Sequence, residues 1–181
     1  MKNITNANII STKKGDTGTS KNFSNQVLPK TDILFETLGG IDELSSSLGV
    51  AYHYVTYQKE LQIIQRDLQN IMSIIATNVD DKHYQNLVKI DQNQIAYLEQ
   101  LEQAILEKHP IKPVFVLPGS DSSKAGSYLD LSRSISRRIE RTAYRFNDVY
   151  QRDDLKEVLQ YLNRLSDVLY IMARSYDEKK S

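Results

Sequence analysis

Apolar residues recur at intervals of three or four along most of this chain, the spacing that places them on one face of an α-helix. This periodicity predicts five amphipathic helices, over about residues 41–55, 61–79, 90–108, 122–146 and 153–172. Ser122 or Ser123 would cap the fourth helix, and Asp153 or Asp154 would open the fifth. Five such helices joined by short links predict an all-α fold, a five-helix antiparallel bundle.

Two stretches of the chain lack the helical pattern. Residues 1–35 are rich in Asn, Ser, Thr, Lys and Gly, so we predict an extended N-terminal arm there. The pattern changes after the glycine pair at 39–40, and residues 36–177 are assigned to the bundle. The stretch "HPIKPVFVLPGSDSS" carries three of the four prolines and predicts a connecting loop. With 181 residues, arm and bundle fit a single domain spanning 1–181.

The composition excludes some chemistry and makes a cytoplasmic location the default. Lys plus Arg and Asp plus Glu number 23 each, so global charge favours neither a nucleic-acid nor a membrane role. The chain has no cysteine, which excludes disulfides, thiolate metal sites and a cysteine nucleophile, and its three histidines have no ligand spacing. No apolar run approaches the roughly 20 residues of a membrane helix, and "MKNITNANII" looks like neither a signal nor a transit peptide.

One segment of this neutral chain concentrates arginine. "SRSISRRIER" and the following "TAYRF" hold five of the nine arginines, and no lysine occurs between Ala125 and Leu155. On the predicted fourth helix Arg133, Arg137 and Arg141 are four residues apart, so each lies only about 40° further around the axis. Stacked like charges destabilise a helix unless anions neutralise them, and the planar guanidinium suits carboxylate or phosphate. The stripe favours a polyanion site, with phosphate as the leading candidate.

Two polar surfaces have a structural as well as a functional interpretation. The arginines could form a solvated face, or salt bridges to another helix with Asp42 and Glu43 as partners. The predicted fifth helix has a polar stripe that is either a helix–helix hydrogen-bond seam or the wall of a pocket. This stripe consists of Asn163, Asp167, Tyr170 and Arg174.

The arm contains a glycine motif, "STKKGDTGTS", with Gly15 and Gly18 on either side of Asp16. Closely spaced glycines let backbone N–H groups form a concavity that holds phosphate. No Gly-Lys-Ser/Thr follows at the spacing of a Walker motif, so this signal is weak on its own. Beside the arginine stripe, it is a candidate for the second half of a triphosphate site.

Several separated stretches together resemble one family, the PduO-type ATP:cob(I)alamin adenosyltransferases. "TKKGDTG" (12–18) is similar to the family's Thr-Lys-x-Gly-Asp-x-Gly motif, and "GGIDELSSSLG" (39–49) to its Asp-Glu-Leu-Asn/Ser-Ser helix start. "FVLPGS" (115–120) and "SRSISRRIER" (132–141) match its central loop and arginine helix. "YLNRLSDVLYIMAR" (161–174) matches its last-helix signature, and all these motifs occur in the family's order.

The resemblance implies a homotrimer with active sites between neighbouring subunits. It implies that Arg133 and Asp42 pair across subunits as catalytic residues, together with Arg137, and that Phe115 and Tyr170 bind cobalamin. Phe115 would close the lower face of the corrin. The ATP-binding residues it implies are Thr12, Lys13, Gly15, Asp16, Gly18, Thr19, Ser20, Lys30, Arg137, Arg138, Glu140, Arg141 and Asn163, with Mg²⁺ near Glu140.

The implied reaction is displacement at the 5′ carbon of ATP by the reduced cobalt of cob(I)alamin, which forms adenosylcobalamin and releases triphosphate. ATP and cobalamin are then substrates, and Mg²⁺ accompanies ATP. Because the corrinoid supplies the nucleophile, no Ser–His pair or carboxylate dyad is required. A flavin-dependent reductase and an adenosylcobalamin-dependent acceptor enzyme are candidate partners, while no nucleic acid or membrane is expected. A eukaryotic host would place the protein in the mitochondrial matrix.

The chain departs from the family pattern at a few positions. "SKNFSNQV" replaces the Ser-Leu-x-Gly-Gly continuation, Leu34 occupies a frequent arginine position, Asp130 stands where histidine is usual, and Ser45 replaces a frequent asparagine. Two alternatives to an enzyme stay open. One is a non-catalytic sensor or delivery protein that binds nucleotide or corrinoid, and the other is a structural bundle whose arginines only make inter-subunit salt bridges.

Overall fold

Five helices and a small hairpin make up this computed structural model. It describes residues 4–9, 11, 13 and 15–177. The helices are α1 Ile33–Tyr52, α2 Gln58–Ala76, α3 Gln92–Lys108, α4 Lys124–Tyr150 and α5 Lys156–Arg174. α4 packs between α1 and α5, while α2 lies against α1 and α3 against α5. Their apolar faces meet in one core, so the predicted all-α bundle of five helices is confirmed.

The first helix begins earlier than the sequence pattern predicted. α1 starts at Ile33 instead of Ile41, because Asp32 supplies a cap: its carboxylate accepts a hydrogen bond from the Leu34 N–H at 2.8 Å. The glycine pair at 39–40 therefore lies inside α1. The boundary predicted there was wrong, and the end of the predicted arm belongs to a helix.

Gly40 marks a close helix crossing within α1. A Cβ atom at this position would lie 3.1 Å from Cγ1 of Ile139 on α4, so only glycine lets the two helices approach this closely. Further along, Ser47 on α1 donates to Ser132 on α4 at 3.0 Å. The paired numbers rise on one helix and fall on the other, so α1 and α4 are antiparallel. This crossing fixes which side of α4 faces the core.

The last two helices differ in how they begin. Ser123 caps α4, accepting from the Gly126 N–H at 3.0 Å, which confirms one of the two predicted caps. α4 continues to Tyr150, beyond the predicted end at Phe146. The predicted opening of the fifth helix by Asp153 or Asp154 was wrong, because both lie in a 3-10 helix, Asp153–Leu155, and α5 begins at Lys156 without a side-chain cap. No helix among the described residues is long and apolar enough to cross a membrane.

The arm contains a β-hairpin that the sequence pattern did not indicate. Strand β1 (Thr19–Lys21) pairs antiparallel with β2 (Val27–Pro29). The turn between them binds the end of α2: the Phe23 N–H donates to the Ala76 carbonyl at 2.9 Å, and the Asn22 amide donates to Asn78 at 3.0 Å. Part of the predicted extended arm is therefore an ordered, docked element.

The end of α2 also receives Arg152, from the corner between α4 and α5. The Arg152 guanidinium is 9% exposed and donates to the carbonyls of Ile74 at 3.1 Å and Thr77 at 3.3 Å. Asp154 holds the guanidinium in place, accepting from its Nε at 2.7 Å. The last carbonyls of a helix have no partner within the helix, and here two remote segments of the chain supply donors to them.

Candidate active site

The outward face of α4 carries two arginines without partners. Ile135 and Ile139 are buried in the core, and this register leaves Arg137 and Arg141 exposed to solvent. Neither guanidinium forms a hydrogen bond or salt bridge with any residue that the structure describes. Two adjacent unpaired cations on one face form a surface that suits a polyanion.

The arginines on the side of α4 towards α1 are paired instead. Arg138 lies 2.5 Å from the Glu43 carboxylate, and Arg145 lies 2.9 Å from that of Glu36. All four side chains are more than half exposed, so each pair contributes less than about 1 kcal/mol to stability. The salt-bridge interpretation applies to these two arginines, and Arg138 would have to leave Glu43 in order to bind a phosphate.

Glu140 connects α4 to the polar stripe of α5. One of its carboxylate oxygens accepts from the Asn163 side-chain amide at 2.8 Å. The amide oxygen of Asn163 in turn accepts from Arg164 at 3.0 Å, and Arg164 donates to Glu99 on α3 at 3.0 Å. This chain of contacts orients the Asn163 amide so that its N–H side faces Glu140.

The other end of the α5 stripe is buried. Arg174 donates to Asp130 of α4, and its Cζ lies 5.4 Å from the centre of the Tyr170 ring. Tyr170 is 37% exposed, whereas Arg174 is 8% exposed. At Asn163 and Arg174, the helix–helix hydrogen-bond seam is the interpretation that the contacts support.

The glycine motif of the arm folds into a turn beside Lys30. Gly18 has a φ of +80°, a left-handed conformation that favours glycine, and its carbonyl accepts from the Lys30 backbone N–H at 2.9 Å. The Lys30 Nζ lies over Gly15, since a Cβ on Gly15 would be 2.8 Å from it. The predicted proximity of Lys30 to the motif is therefore present. Thr12, also predicted to bind ATP, lies outside the described residues.

Other predicted site residues lie apart within a single chain. Asp42 is exposed on α1, beside a groove of about 520 Å³ between α1 and α2, and has no bonded partner among the described residues. Arg133 contacts Asp130 and not Asp42. Phe115 is 87% exposed on the loop before α4. Apart from the Pro29 carbonyl, which accepts from the Asp32 N–H at the start of α1, the hydrogen bonds from residues 19–29 to the helical part of the chain go to the end of α2 and the loop after it.

Comparison with known proteins identifies the family. The family described as cobalamin adenosyltransferase matches residues 10–176. The chain belongs to this family. The human corrinoid adenosyltransferase MMAB is 36% identical over 172 residues, which cover 91% of this chain and 67% of that protein. The corrinoid adenosyltransferase of Citrobacter freundii is 35% identical over 169 residues, covering 91% of this chain and 93% of its own.

Solved structures of the same family share the fold. A variant of the PduO-type ATP:corrinoid adenosyltransferase from Lactobacillus reuteri, complexed with cobalamin and ATP, matches with a TM-score of 0.79. It is 29% identical, and the match covers 92% of each chain. The family inferred from the sequence motifs is thus confirmed for this cobalamin adenosyltransferase.

The carboxylates of this family member fit Mg²⁺ only in combination with a substrate. No three His, Cys, Asp or Glu side chains cluster within the described part of the chain. Mg²⁺ is normally bound by one or two carboxylates together with substrate phosphates and water. Glu140 suits that role, because its second oxygen accepts no hydrogen bond from a described residue. It would hold the ion jointly with the triphosphate.

Sequence reasoning assigned no site role to two residues that contact predicted site residues. Arg164 orients Asn163, and its position next to Asn163 in the sequence was the available signal. Asp130 contacts Arg133 and Arg174 together. The spacing of three residues from Asp130 to Arg133 was visible in the sequence, but the contact with Arg174 depends on how α4 and α5 pack.

Proposed function

We propose that this chain transfers the 5′-deoxyadenosyl group of ATP to the reduced cobalt of cob(I)alamin. The products are adenosylcobalamin and triphosphate. The observation that carries the proposal is that the guanidinium groups of Arg137 and Arg141 are exposed and have no partner among the described residues. They lie on the helix that also carries the Glu140–Asn163 contact. On a chain of this family, such a surface suits a triphosphate that gains charge during the reaction.

The chemistry requires electrostatics and positioning more than acid–base groups. Cobalt supplies the electron pair that forms the bond to the 5′ carbon, and the carbon–oxygen bond to the triphosphate breaks with its electrons leaving on oxygen. The leaving group therefore gains one negative charge. Arg137 and Arg141 can each present two N–H groups to phosphate oxygens, and Glu140 would help to hold the Mg²⁺ that accompanies them.

The arm and the loop before α4 supply the other contacts in this proposal. The motif around Gly15 and Gly18, with Lys30 over it, would bind phosphate oxygens through backbone N–H groups and one ammonium. The arm residues assigned to ATP are Lys13, Gly15, Asp16, Gly18, Thr19, Ser20 and Lys30. Phe115 would lie against the lower corrin face, where an apolar ring excludes a lower axial ligand, and Tyr170 would be a second contact.

We also propose a homotrimer whose active sites are shared between subunits. Three features of the described residues support it: Asp42 is exposed and has no partner among them, an apolar groove lies beside Asp42, and their hydrogen bonds attach the hairpin to α2 and not to the arginine helix. In this arrangement Asp42 of one subunit pairs with Arg133 of the next. The protein would act in the cytoplasm, or in the mitochondrial matrix of a eukaryotic host, with a flavin-dependent reductase and an acceptor enzyme as partners.

Turnover of the purified protein tests the activity. The protein is mixed anaerobically with ATP, Mg²⁺ and chemically reduced cobalamin, and the expected result is the spectral change of cobalt–carbon bond formation. A matched reaction without ATP controls for reoxidation of the corrinoid. ATP binding without the spectral change would contradict the enzyme and favour a sensor or delivery protein. Light scattering should give a mass of three chains, and a monomer would contradict the shared site.

A further inference from the structure

Asp130 is a charged residue in a buried position at the start of α4. Its side chain is 5% exposed and lies between two guanidinium groups. One carboxylate oxygen accepts from Arg174, and the other accepts from the Nε of Arg133 at 3.4 Å. Each oxygen therefore serves a different arginine, and a buried carboxylate with two such partners has little freedom to rotate.

The Arg174 side of this contact is rigid. Its side chain is 4% exposed, and its Nε lies 3.1 Å from the carboxylate of Asp177. α5 comes close to α4 here, because a Cβ on Gly126 would lie 3.1 Å from the Ala173 carbonyl oxygen. The Arg174 Nε makes no hydrogen bond with any described residue, so burial of the side chain and backbone packing, and not Asp177, hold Arg174 against Asp130.

The Arg133 side is open to solvent. Arg133 is 29% exposed, and its contact with Asp130 uses only Nε. The two terminal amino groups of the guanidinium form no hydrogen bond with any residue in the described part of the chain. These groups carry four N–H donors in one plane, an arrangement that fits the paired oxygens of a carboxylate or a phosphate.

We infer that Asp130 is a positioning residue that holds Arg133 with its two terminal amino groups free for an incoming anion. The inference rests on the proposed adenosyl transfer, in which Arg133 lies at the active site. Arginine has many rotamers in solution, and ordering it in advance removes most of the entropy that an anion would otherwise have to offset. The anion has two planar oxygens, from either the Asp42 carboxylate of a second copy or a substrate phosphate.

A double-mutant cycle on turnover tests this role. Asp130→Asn keeps the shape of the side chain but removes its charge, and kcat should fall about 10-fold or more because Arg133 is no longer held. Adding Asp130→Asn to Arg133→Ala should cause no further loss. If the loss acts through Arg174 and Tyr170 instead, the effects of Asp130→Asn and Arg133→Ala on turnover would multiply in the double variant, and the inference would be overturned. Unchanged turnover in Asp130→Asn would also overturn it.

Asp177→Asn is the matched control, since Asp177 contacts Arg174 but not Arg133. It should leave kcat unchanged, and because burial raises the pKa of the Asp177 carboxyl, removing its charge should not lower the Tm at pH 7. If Asp130→Asn does not fold, Asp130→Glu replaces it in the cycle, because it keeps the charge and displaces the carboxylate by one methylene. The same fall in kcat and the same lack of a further loss are expected.

The two sources of the anion give different readouts. A phosphate predicts a raised KM for ATP in Asp130→Asn, whereas a carboxylate of a second copy predicts a smaller oligomer at the same concentration. If the unmodified protein has no turnover, the proposed function fails. The affinity for inorganic triphosphate and the mass of the oligomer then replace kcat as the quantities measured for the same variants. Unchanged triphosphate affinity together with an unchanged oligomer in Asp130→Asn would then overturn the positioning role.

Discussion

The arginines of α4 occupy two different environments on one helix. Near its start, Arg133 shares the buried Asp130 with Arg174 from α5. One and two turns later, Arg137 and Arg141 are exposed and have no partner within the part of the chain that the structure describes. A buried guanidinium requires a partner because desolvation costs several kcal/mol, whereas an exposed one can lack a partner at little cost. The comparison separates the buried charges of Asp130 and Arg174, which join α4 to α5, from the exposed charges of α4 that are available to a substrate.

Replacing an arginine of the exposed group tests the functional half of this comparison. Arg137→Ala should lower kcat about 100- to 1,000-fold, since it removes a preorganised cation from the leaving group. Its Tm should change by no more than about 1 to 2 °C, because the side chain is exposed and unpaired. Arg145→Ala is the control, because Arg145 is paired with Glu36, and it should keep nearly full turnover. Equal losses in both variants would contradict the distinction.

Replacing the buried arginine tests the structural half. Arg174→Leu should cost about 3 kcal/mol, because it leaves Asp130 buried with only the partly exposed Arg133. For a chain of this size that is a fall in Tm of about 6 to 12 °C, measured by circular dichroism at one protein concentration. The double variant Asp130→Leu/Arg174→Leu should recover most of the loss. Arg141→Leu is the exposed control, and a comparable fall in its Tm would contradict the comparison.

Substitutions in the glycine pair of α1, Gly39 and Gly40, test how closely α1 packs against the buried side of α4. Gly40→Ala should destabilise by about 1 kcal/mol or more, because the added Cβ meets Ile139 at 3.1 Å. A Cβ at Gly39 meets no atom within 4 Å among the described residues outside its own helical turn, so Gly39→Ala should stabilise by about 0.5 to 1 kcal/mol, the gain from removing a helix glycine. Urea denaturation of both variants measures the difference. A loss at Gly39 as well would mean that the groove it lines is covered in the assembly.

Glu102 on α3 is a partly buried charge, intermediate between the buried and the exposed charges compared above. Replacing it should have the smallest effect on stability. Burial raises its pKa above the usual value of 4.5, and the nearby Asp167 carboxylate raises it further. One of its oxygens is buried without a hydrogen bond. The raised pKa means that the ionised form is disfavoured by folding, a cost present above pH 4.5 and absent below it. Glu102→Gln should therefore raise the Tm at pH 7 by about 1 °C, and this gain should disappear near pH 4.

Local features of the sequence predicted much of the fold. The three-to-four periodicity gave five helices because each helix buries one apolar face, and Ser123 was predictable because capping depends only on residues nearby. The position of Arg137 and Arg141 on one face of α4 was predictable for the same reason, because it depends only on their spacing along the helix. The family and its activity were indicated by motifs that occur in a fixed order, and the comparisons confirm both.

The errors and omissions concern contacts between distant residues. Gly40 looked like a helix boundary because the Ile139 side chain that requires it is far away in the sequence. The hairpin is stabilised by the end of α2, and its short strands carry no clear alternation of their own. The Asp130–Arg174 contact depends on how closely α4 and α5 pack, which no local pattern encodes. The residues assigned to ATP and cobalamin stay predictions.

The attachment of the hairpin has a consequence for how the chain folds during synthesis. The Phe23 N–H binds the end of α2, and that same end receives Arg152 from the corner before the last helix. The arm leaves the ribosome first, yet the helix end to which it binds gains its Arg152 donors only when most of the chain has been made. Such contacts between distant segments form slowly, because long loops must close first. The hairpin is therefore made early, whereas the helix end that holds it is completed late.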